Sequence, residues 1–157
     1  MEKTKFGDSI VSLKFLTAQE YESMGCPNPT SVHCFPISGD SIWFTQNPRG
    51  IDIIGGHVEL EESIVETLIR ETKEESCIKL IDFKLLGAIE VDNSENPKGI
   101  EKYGLKGYQV FYSSQNYELE NFIQTHECIG RVLVPKEKIK QEHHNWLNVH
   151  DLLLTSI

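Results

Sequence analysis

The sequence lacks long apolar runs, a basic stripe and a signal-peptide core. Only 39% of its 157 residues are apolar. No window approaches the roughly 18 consecutive apolar residues of a membrane-spanning helix. The N-terminal segment MEKTKFGDSI contains no apolar core, so no signal peptide is expected. Lys and Arg number 15 against 24 Asp and Glu, and this net charge of −9 argues against binding of duplex nucleic acid.

The cysteines show no spacing typical of a zinc site or a disulfide framework. Cys26, Cys34, Cys77 and Cys128 form neither a C-x-x-C pair nor a short Cys/His repeat. Reduced thiols in a cytoplasmic protein are therefore expected. The acidic charge still allows a small phosphorylated substrate, provided that a divalent cation lies between the carboxylates and the phosphates.

Chain length and patterning predict a single α/β domain over residues 1–157, because nothing repeats and no low-complexity linker divides the chain. Several segments have the pattern of strands in a mixed sheet: Ser9–Phe15, Val32–Ile37, Ser41–Thr45, Ile51–Ile54, Leu80–Val91, Tyr108–Tyr112 and Arg131–Val134. A helix is predicted over Ser63–Ser76 and a closing helix from Trp146 onward. Met24–Thr30 and Asn93–Gly107 are predicted loops, and the length of the second predicts a functional lid or a disordered segment.

The segment Gly55–Ile78, with the sequence GGHVELEESIVETLIRETKEESCI, indicates chemistry most clearly. A Gly-Gly pair follows a predicted strand and leads through an acidic loop into the helix. Glu71, Glu74 and Glu75 have the spacing i, i+3 and i+4, so their side chains lie on adjacent helical turns. Such close carboxylates repel one another, and Mg²⁺ is the cation that suits carboxylate oxygens and substrate phosphates together.

A helical wheel favours a ligand role over a merely solvated acidic face. The apolar sector is predicted to contain Ile64, Val65, Leu68, Ile69 and Thr72. Glu75 falls inside the edge of that sector, where an unpaired carboxylate would be costly. Arg70 stands next to Glu71 and is placed to orient the neighbouring carboxylates as a bidentate donor.

This segment resembles the signature of the Nudix (MutT-like) hydrolases, G-x₅-E-x₇-R-E-U-x-E-E-x-G-U, where U is bulky and aliphatic. Every charged position is matched at the correct spacing. The matching residues are Gly56, Glu62, Arg70, Glu71, Glu74, Glu75 and Ile78. A motif of this length is hard to match by chance, so the resemblance outweighs the alternative of a solvated acidic helix.

Four positions depart from the family pattern, and none of them removes a charged group. Thr72 stands in place of an aliphatic residue, and Cys77 replaces the glycine that usually ends the helix. Ile54 occupies a common proline position, and Glu61 a common position of a loop glycine. A cysteine with positive φ at the helix end is expected to be strained.

The resemblance implies an α/β/α sandwich with a mixed, curved central sheet. It implies attack of a metal-activated water on a phosphorus of a nucleoside diphosphate linked to another moiety. The implied ligands of Mg²⁺ or Mn²⁺ are the Gly56 carbonyl and the carboxylates of Glu71, Glu74 and Glu75. Gly55 and Glu62 would have orienting roles, and Arg70 with Glu62 would fix the loop and the glutamates. A nucleoside triphosphate or its oxidised form is the first expected substrate, and a nucleotide sugar or ADP-ribose the second.

The general base is expected to be Glu71 or a glutamate on a late loop. Glu127 is the first candidate, because HECIGRVLVPKEKI resembles the family's later segment. Glu142 is the weaker candidate, and the adjacent His143–His144 pair either binds a metal or caps a helix. Arg49 either contacts a substrate phosphate or is an exposed turn residue, and the turn Asn-Pro-Arg-Gly favours the second interpretation.

Four further points remain open here. A non-catalytic Nudix-like module would bind a nucleotide or metabolite and regulate a partner, but such modules typically lose glutamates that this chain retains. An interaction protein with an acidic helix would leave the position of Glu75 unexplained. A homodimer is the default assembly for such a fold. Aromatic residues on the strands either stack a nucleobase or pack in the core, and core packing is favoured for Phe35, Trp43, Phe44 and Tyr112.

Overall fold

The computed structural model describes residues 1–125 and 127–157, and these form two compact units. The first unit contains Met1–Ser31, Leu85–Phe111 and Leu147–Ile157, and the second contains Val32–Lys84 and Tyr112–Trp146. In the part of the chain that the structure describes, no helix is long and apolar enough to cross a membrane.

The strands and helices follow one another along the chain with short connections. The strands are β1 (Glu2–Phe6), β2 (Ser9–Thr17), β3 (Pro29–Ser38), β4 (Ser41–Asn47), β5 (Gly50–Asp52), β6 (Ile54–His57), β7 (Ile78–Leu80), β8 (Lys84–Asp92), β9 (Lys106–Ser114), β10 (Tyr117–Leu119) and β11 (Gly130–Pro135). The helices are α1 (Ala18–Ser23), α2 (Ile64–Ser76), α3 (Pro97–Tyr103), α4 (Ile139–Glu142) and α5 (Asn148–Leu154), with a 3₁₀ turn over Lys136–Lys138 before α4.

In the first unit, antiparallel β1, β2 and β8 lie side by side, and β9 follows β8 in the sheet. The alternating pattern predicted a strand at Ser9–Phe15, and β2 confirms it. The predicted closing helix is α5, which buries Val149 and Leu153. It begins at Asn148, because the Glu2 carboxylate accepts the backbone N–H groups of Asn148 and Val149 at 3.3 and 3.1 Å.

The prediction that Asn93–Gly107 is a structureless loop is wrong, because the segment contains α3. Pro97 occupies the first turn of this helix, where its missing N–H costs no hydrogen bond, and Gly104 with φ 84° ends it. The Asn93 side chain donates to the Gly104 carbonyl at 3.1 Å and fixes the return of the chain. A helix of seven residues is too short to show an apolar period, which is why the pattern missed it.

In the second unit, β4 lies between β3 and β11, β5 pairs with β4, and β6 pairs with β3. The predicted hairpin is confirmed, with Ile37 opposite Ile42 and a turn through Gly39 at φ 58°. The predicted strand Ile51–Ile54 is broken at Ile53 into β5 and β6. Similarly, the predicted Leu80–Val91 strand is broken between β7 and β8.

Helix α2 begins and ends at residues that suit its termini. Ser63 accepts the backbone N–H of Glu66, and the Glu66 carboxylate accepts that of Ser63, which forms a capping box. The helix ends at Cys77 in a left-handed conformation with φ 55°. The predicted helix Ser63–Ser76 is therefore confirmed, with Ser63 as its cap.

The buried face of α2 differs from the predicted apolar sector. Val65 and Ile69 are 39% and 43% exposed, whereas the fully buried positions on α2 are Thr67, Leu68, Thr72 and Ser76. Small hydroxyl residues tolerate burial here because they bond to the helix itself: Thr72 Oγ1 donates to the Leu68 carbonyl at 2.6 Å. This places Thr72, the departure from the family pattern, in the core, and leaves Glu71 and Glu75 beside the buried face.

Candidate active site

Two glycines of β6 allow the glutamates of α2 to approach the backbone of the strand. A Cβ on Gly56 would coincide with the carboxylate of Glu71. A Cβ on Gly55, which has φ 152°, would collide with His33 and the Val32 carbonyl. The Gly55 N–H donates to Oε2 of Glu75 at 3.0 Å. The glycine pair is therefore required by the space that the carboxylates and β3 occupy.

Arg70 lies at the centre of the glutamate cluster and uses all of its guanidinium nitrogens. Nε and Nη2 donate to the two carboxylate oxygens of Glu62 at 2.6 and 2.8 Å. Nη1 donates to Glu71 at 2.8 Å and to Glu74 at 3.1 Å. Nη2 also donates to the His57 carbonyl at 3.1 Å. Arg70 thus fixes the acidic loop and two glutamates of the helix in one geometry.

Glu62 is held as a carboxylate by its neighbours. The Arg70 hydrogen bonds and that of the Thr67 hydroxyl lower the pKa of Glu62 to about 2. The carboxylates around Arg70 raise the pKa of its guanidinium further above its ordinary value. This pair is permanently charged and belongs to the frame of the site rather than to any proton transfer.

Glu75 is a carboxyl group whose charged form is destabilised by its surroundings. Burial raises the pKa of Glu75 to about 7, the Gly55 N–H opposes the rise, and the charges of Glu71, Asp52 and Glu127 add to it. A bound cation would offset both the desolvation and the repulsion.

A cavity of about 280 Å³ opens at the glutamate cluster. Its lining residues are Glu59, Arg70, Glu71, Glu74, Glu75, Thr125, Glu127 and Cys128. The structure therefore brings the predicted late-loop glutamate Glu127 to the same cavity as the three glutamates of α2. Glu62 accepts hydrogen bonds from Arg70 but does not line the cavity, and neither does Glu142. Thr125 and Cys128 carried no signal in the sequence, because a single threonine or cysteine in a loop fits no motif.

Arg49 forms ion pairs with two acidic residues at the edge of this cavity. Its Nη2 lies 2.9 Å from Oε1 of Glu127, and its Nη1 lies 3.4 Å from Oε2. The same Nη2 lies 3.4 Å from Oδ2 of Asp52. The Arg49 side chain is 57% exposed, so the predicted turn position is confirmed, but the residue also contacts the site.

Asp52, which the sequence reasoning missed, forms a second group with the histidine pair. The ligand atoms of Asp52, His143 and His144 all lie within 4.8 Å of one another, an arrangement that can hold a metal ion. Nδ1 of His143 accepts the Asn145 N–H at 3.0 Å, so a neutral ring carries its proton on Nε2, which faces Asp52 at 3.6 Å. Burial lowers the pKa of His143 to about 4, which keeps the ring neutral.

The NUDIX domain model matches residues 27–155. The chain belongs to the Nudix family. No curated protein matches the sequence.

Solved Nudix structures share the fold. A mutant of the Bacillus subtilis pyrophosphohydrolase BsRppH has a TM-score of 0.70 at 22% identity, over 99% of this chain and 95% of that one. The NUDIX domain of Shewanella oneidensis NrtR complexed with ADP ribose has 0.61 at 15%, over 90% and 97%. The MutT protein of Bacillus halodurans has 0.58 at 18%, over 78% of each chain. The predicted α/β/α fold with a mixed, curved sheet is confirmed, and so is the prediction of a Nudix-type pyrophosphohydrolase at the level of family and fold.

Two departures from the Nudix pattern keep the backbone of the residues they replace. Glu61 and Cys77 stand at positions where glycine is common, and both have positive φ, 65° and 55°. Cys77 therefore has the left-handed conformation in which a cysteine was expected to be strained. Cys77 has a partial compensation, because its Sγ accepts the Ile123 N–H at 3.3 Å.

Replacing Glu61 by glycine is expected to raise the free energy of unfolding by about 0.5–1 kcal/mol, because glycine adopts positive φ without steric strain. Cys77→Gly is expected to gain less, since it also loses the sulfur contact with Ile123. Urea unfolding measures both changes. A loss of stability on Glu61→Gly would show that the side chain contributes more than the backbone conformation costs.

Glu75→Gln is expected to stabilise the metal-free protein at pH 8 by about 2 kcal/mol. The folded-state pKa of Glu75 is raised, so the stability that its neutral form contributes is complete below the unfolded pKa and lost as pH rises toward 7. Glutamine mimics the neutral form, so the difference from wild type should vanish at pH 4. Urea unfolding with EDTA at both pH values measures this. Equal stabilities of wild type and Glu75→Gln at pH 8 would contradict the conclusion that burial destabilises the charged Glu75 carboxylate.

Gly56→Ala is expected to lower Mg²⁺ affinity and turnover by about 100-fold, because the added methyl displaces the Glu71 carboxylate from its place against β6. Calorimetric titration with Mg²⁺ measures the first effect. Gly130→Ala, which replaces a strand glycine of the same unit and would bring its new Cβ only into ordinary contact with Gln46, is the control for backbone effects. Unchanged Mg²⁺ affinity in Gly56→Ala would argue against Glu71 as a ligand.

Proposed function

We propose that this protein is a Mg²⁺- or Mn²⁺-dependent hydrolase of a nucleoside diphosphate linked to another moiety. The observation that carries the proposal is the convergence of Glu71, Glu74, Glu75 and Glu127 on one cavity, with Arg70 orienting two of them. An acidic helix without a ligand gains nothing from concentrating repelling carboxylates in this way.

The donor set fits a hard divalent cation. The oxygens of Glu71, Glu74 and Glu75, together with the Gly56 carbonyl, are the proposed ligands, and Mg²⁺ prefers such oxygen ligands. The raised pKa of Glu75 and the glycine cradle for Glu71 support this assignment. When bound, the metal would polarise phosphoryl oxygens and lower the pKa of water.

The protein's own groups have distinct proposed roles in the reaction. Glu127 lines the cavity from the late loop and is the proposed general base that takes the proton of the attacking water. Glu71 is the alternative base, but its contacts with Arg70 and β6 suit a fixed ligand better. Arg70 and Glu62 hold the geometry, and Gly55 positions Glu75 through its N–H.

The first proposed substrate is a nucleoside triphosphate or its oxidised form, and the second is a nucleotide sugar or ADP-ribose. Both carry the diphosphate that the cavity and its metal would bind. Among the similar structures, a NUDIX domain complexed with ADP ribose has a ligand of the second class. That domain also supports the second candidate function, a nucleotide- or metabolite-binding regulatory module. The retained glutamates favour the enzyme.

A substrate panel tests the proposal. Nucleoside triphosphates, 8-oxo-dGTP, nucleotide sugars and ADP-ribose are incubated with Mg²⁺ or Mn²⁺, and release of nucleoside monophosphate is followed. We expect metal-dependent turnover of at least one class. No turnover of any compound, with metal-dependent binding retained, would move the binding module to first place. A single domain over residues 1–157, a homodimer, a cytoplasmic location and the lack of duplex binding stay predictions.

A further inference from the structure

The cavity is lined mostly by carboxylates, so few cationic side chains can bind the phosphates of a polyanionic substrate. Within the described residues, Arg70 is the one cationic side chain that lines the cavity, and its donors are occupied by Glu62, Glu71, Glu74 and the His57 carbonyl. Its side chain is only 22% exposed. Arg70 therefore has no N–H to give to a phosphate without releasing a glutamate or the His57 carbonyl.

Arg49 is in the opposite situation. It contacts Glu127, a residue of the cavity wall, and both side chains of this pair are 57% exposed. Exposed ion pairs contribute little to stability, so this pair can open at low cost. A guanidinium also binds a phosphate through two parallel hydrogen bonds, which are stronger than a single exposed contact with a carboxylate.

The two acidic partners of Arg49, Asp52 and Glu127, differ in the other contacts that they make. Asp52 retains the hydrogen bond from the Asn47 amide at 2.5 Å and lies 3.6 and 3.5 Å from His143 and His144. Arg49 alone, among the described ion-pair partners, neutralises Glu127. Departure of Arg49 would therefore remove the described ion-pair partner of Glu127, whereas Asp52 would keep its contacts with Asn47 and the two histidines.

We propose that Arg49 is the phosphate-binding residue of this site and that it exchanges Glu127 for a phosphate of the incoming substrate. The exchange has two consequences for the same residues. The substrate gains the cation that Arg70 cannot supply, and the Glu127 carboxylate on the cavity wall is released from its ion pair with Arg49. This inference rests on the proposed function and assigns a residue that the Nudix signature does not contain.

A double-mutant cycle of binding tests the exchange without requiring turnover. The probe is methylenebisphosphonate, a non-hydrolysable diphosphate, titrated calorimetrically in saturating Mg²⁺ into wild type, Arg49→Gln, Glu127→Gln and the double variant. Arg49→Gln is expected to weaken binding about tenfold. Glu127→Gln is expected to tighten it several-fold, because it removes the competitor for Arg49. In the Arg49→Gln background, Glu127→Gln should have no effect.

The controls separate competition from general electrostatics and from misfolding. Lys79→Gln removes one positive charge from an exposed strand of the same unit and should change affinity less than twofold. Thermal unfolding checks that the variants fold, and a separate Mg²⁺ titration checks that Glu127→Gln retains the metal.

Each alternative outcome overturns the exchange. Unchanged affinity in Arg49→Gln would show that Arg49 is only a turn residue. Equal tightening by Glu127→Gln in both backgrounds would show long-range repulsion alone, and weakening would show that Glu127 does not compete for Arg49. Failure of the proposed function is seen separately, as absence of metal-dependent turnover in the substrate panel.

Discussion

Replacing Glu74 or Glu75 by glutamine is expected to lower metal-dependent turnover by several orders of magnitude. Each substitution removes a proposed anionic ligand, and the charge stabilisation that a metal supplies accounts for several kcal/mol of barrier reduction. The fold should survive, because Glu74 is 46% exposed at its side chain and Glu75 becomes easier to bury as an amide. Steady-state kinetics on the best compound of the panel measures the effect.

Two comparisons make this result specific. Glu118→Gln removes an exposed carboxylate from β10 in the same unit and should leave turnover within twofold of wild type. Mg²⁺ should raise the unfolding temperature of the wild type through preferential binding to the folded state, and this rise should be lost in both helix variants. Turnover that is indifferent to Glu74→Gln and Glu75→Gln would remove the metal assignment.

Arg70→Lys is expected to lower kcat about 100-fold and the free energy of unfolding by about 2 kcal/mol. Lysine keeps the charge but presents three donors from one point, so it cannot reach Glu62, Glu71 and Glu74 in the arrangement of the guanidinium. Glu62 in the loop and the two glutamates of the helix would then no longer be bonded to one side chain. Kinetics and urea unfolding measure the two effects.

Arg131→Lys is the matched control for this change. Arg131 lies in the same unit and donates to the Ser76 and Cys77 carbonyls, not to carboxylates of the cavity. The variant is expected to lose some stability but to keep its kcat. Wild-type kcat in Arg70→Lys would show that orientation of the glutamates does not depend on the fork geometry of Arg70.

The sequence predicted which residues meet at the candidate site better than it predicted the packing of the elements around it. The spacing of Glu71, Glu74 and Glu75 and the glycine pair are local features, because a helical turn and a close approach of backbone follow from neighbouring residues. The structure accordingly brings Arg70 and the three glutamates together. Glu127 is far from the helix in the sequence. Only the resemblance of its surrounding segment to a later segment of the family indicated that it reaches the same cavity.

The missed features depend on long-range packing or on short elements. The helical wheel placed Val65 and Ile69 in the core, but hydroxyl residues that bond to the helix backbone occupy the buried face instead. The α3 helix was missed because its seven residues show no apolar period. Asp52 was missed because its contacts with the histidine pair join segments far apart in the sequence, and its contact with the nearby Arg49 belongs to no motif.

Hydrolysis in H₂¹⁸O shows whether water attacks a phosphorus of the substrate in a metal-dependent reaction. The wild-type protein is incubated with Mg²⁺ and the best substrate of the panel in labelled water, and the products are analysed by mass spectrometry. We expect one ¹⁸O atom per turnover, carried on a phosphate group of one product, and no product when EDTA removes the metal. Label-free phosphate products, or product formation that continues in EDTA, would contradict metal-dependent attack of water on phosphorus.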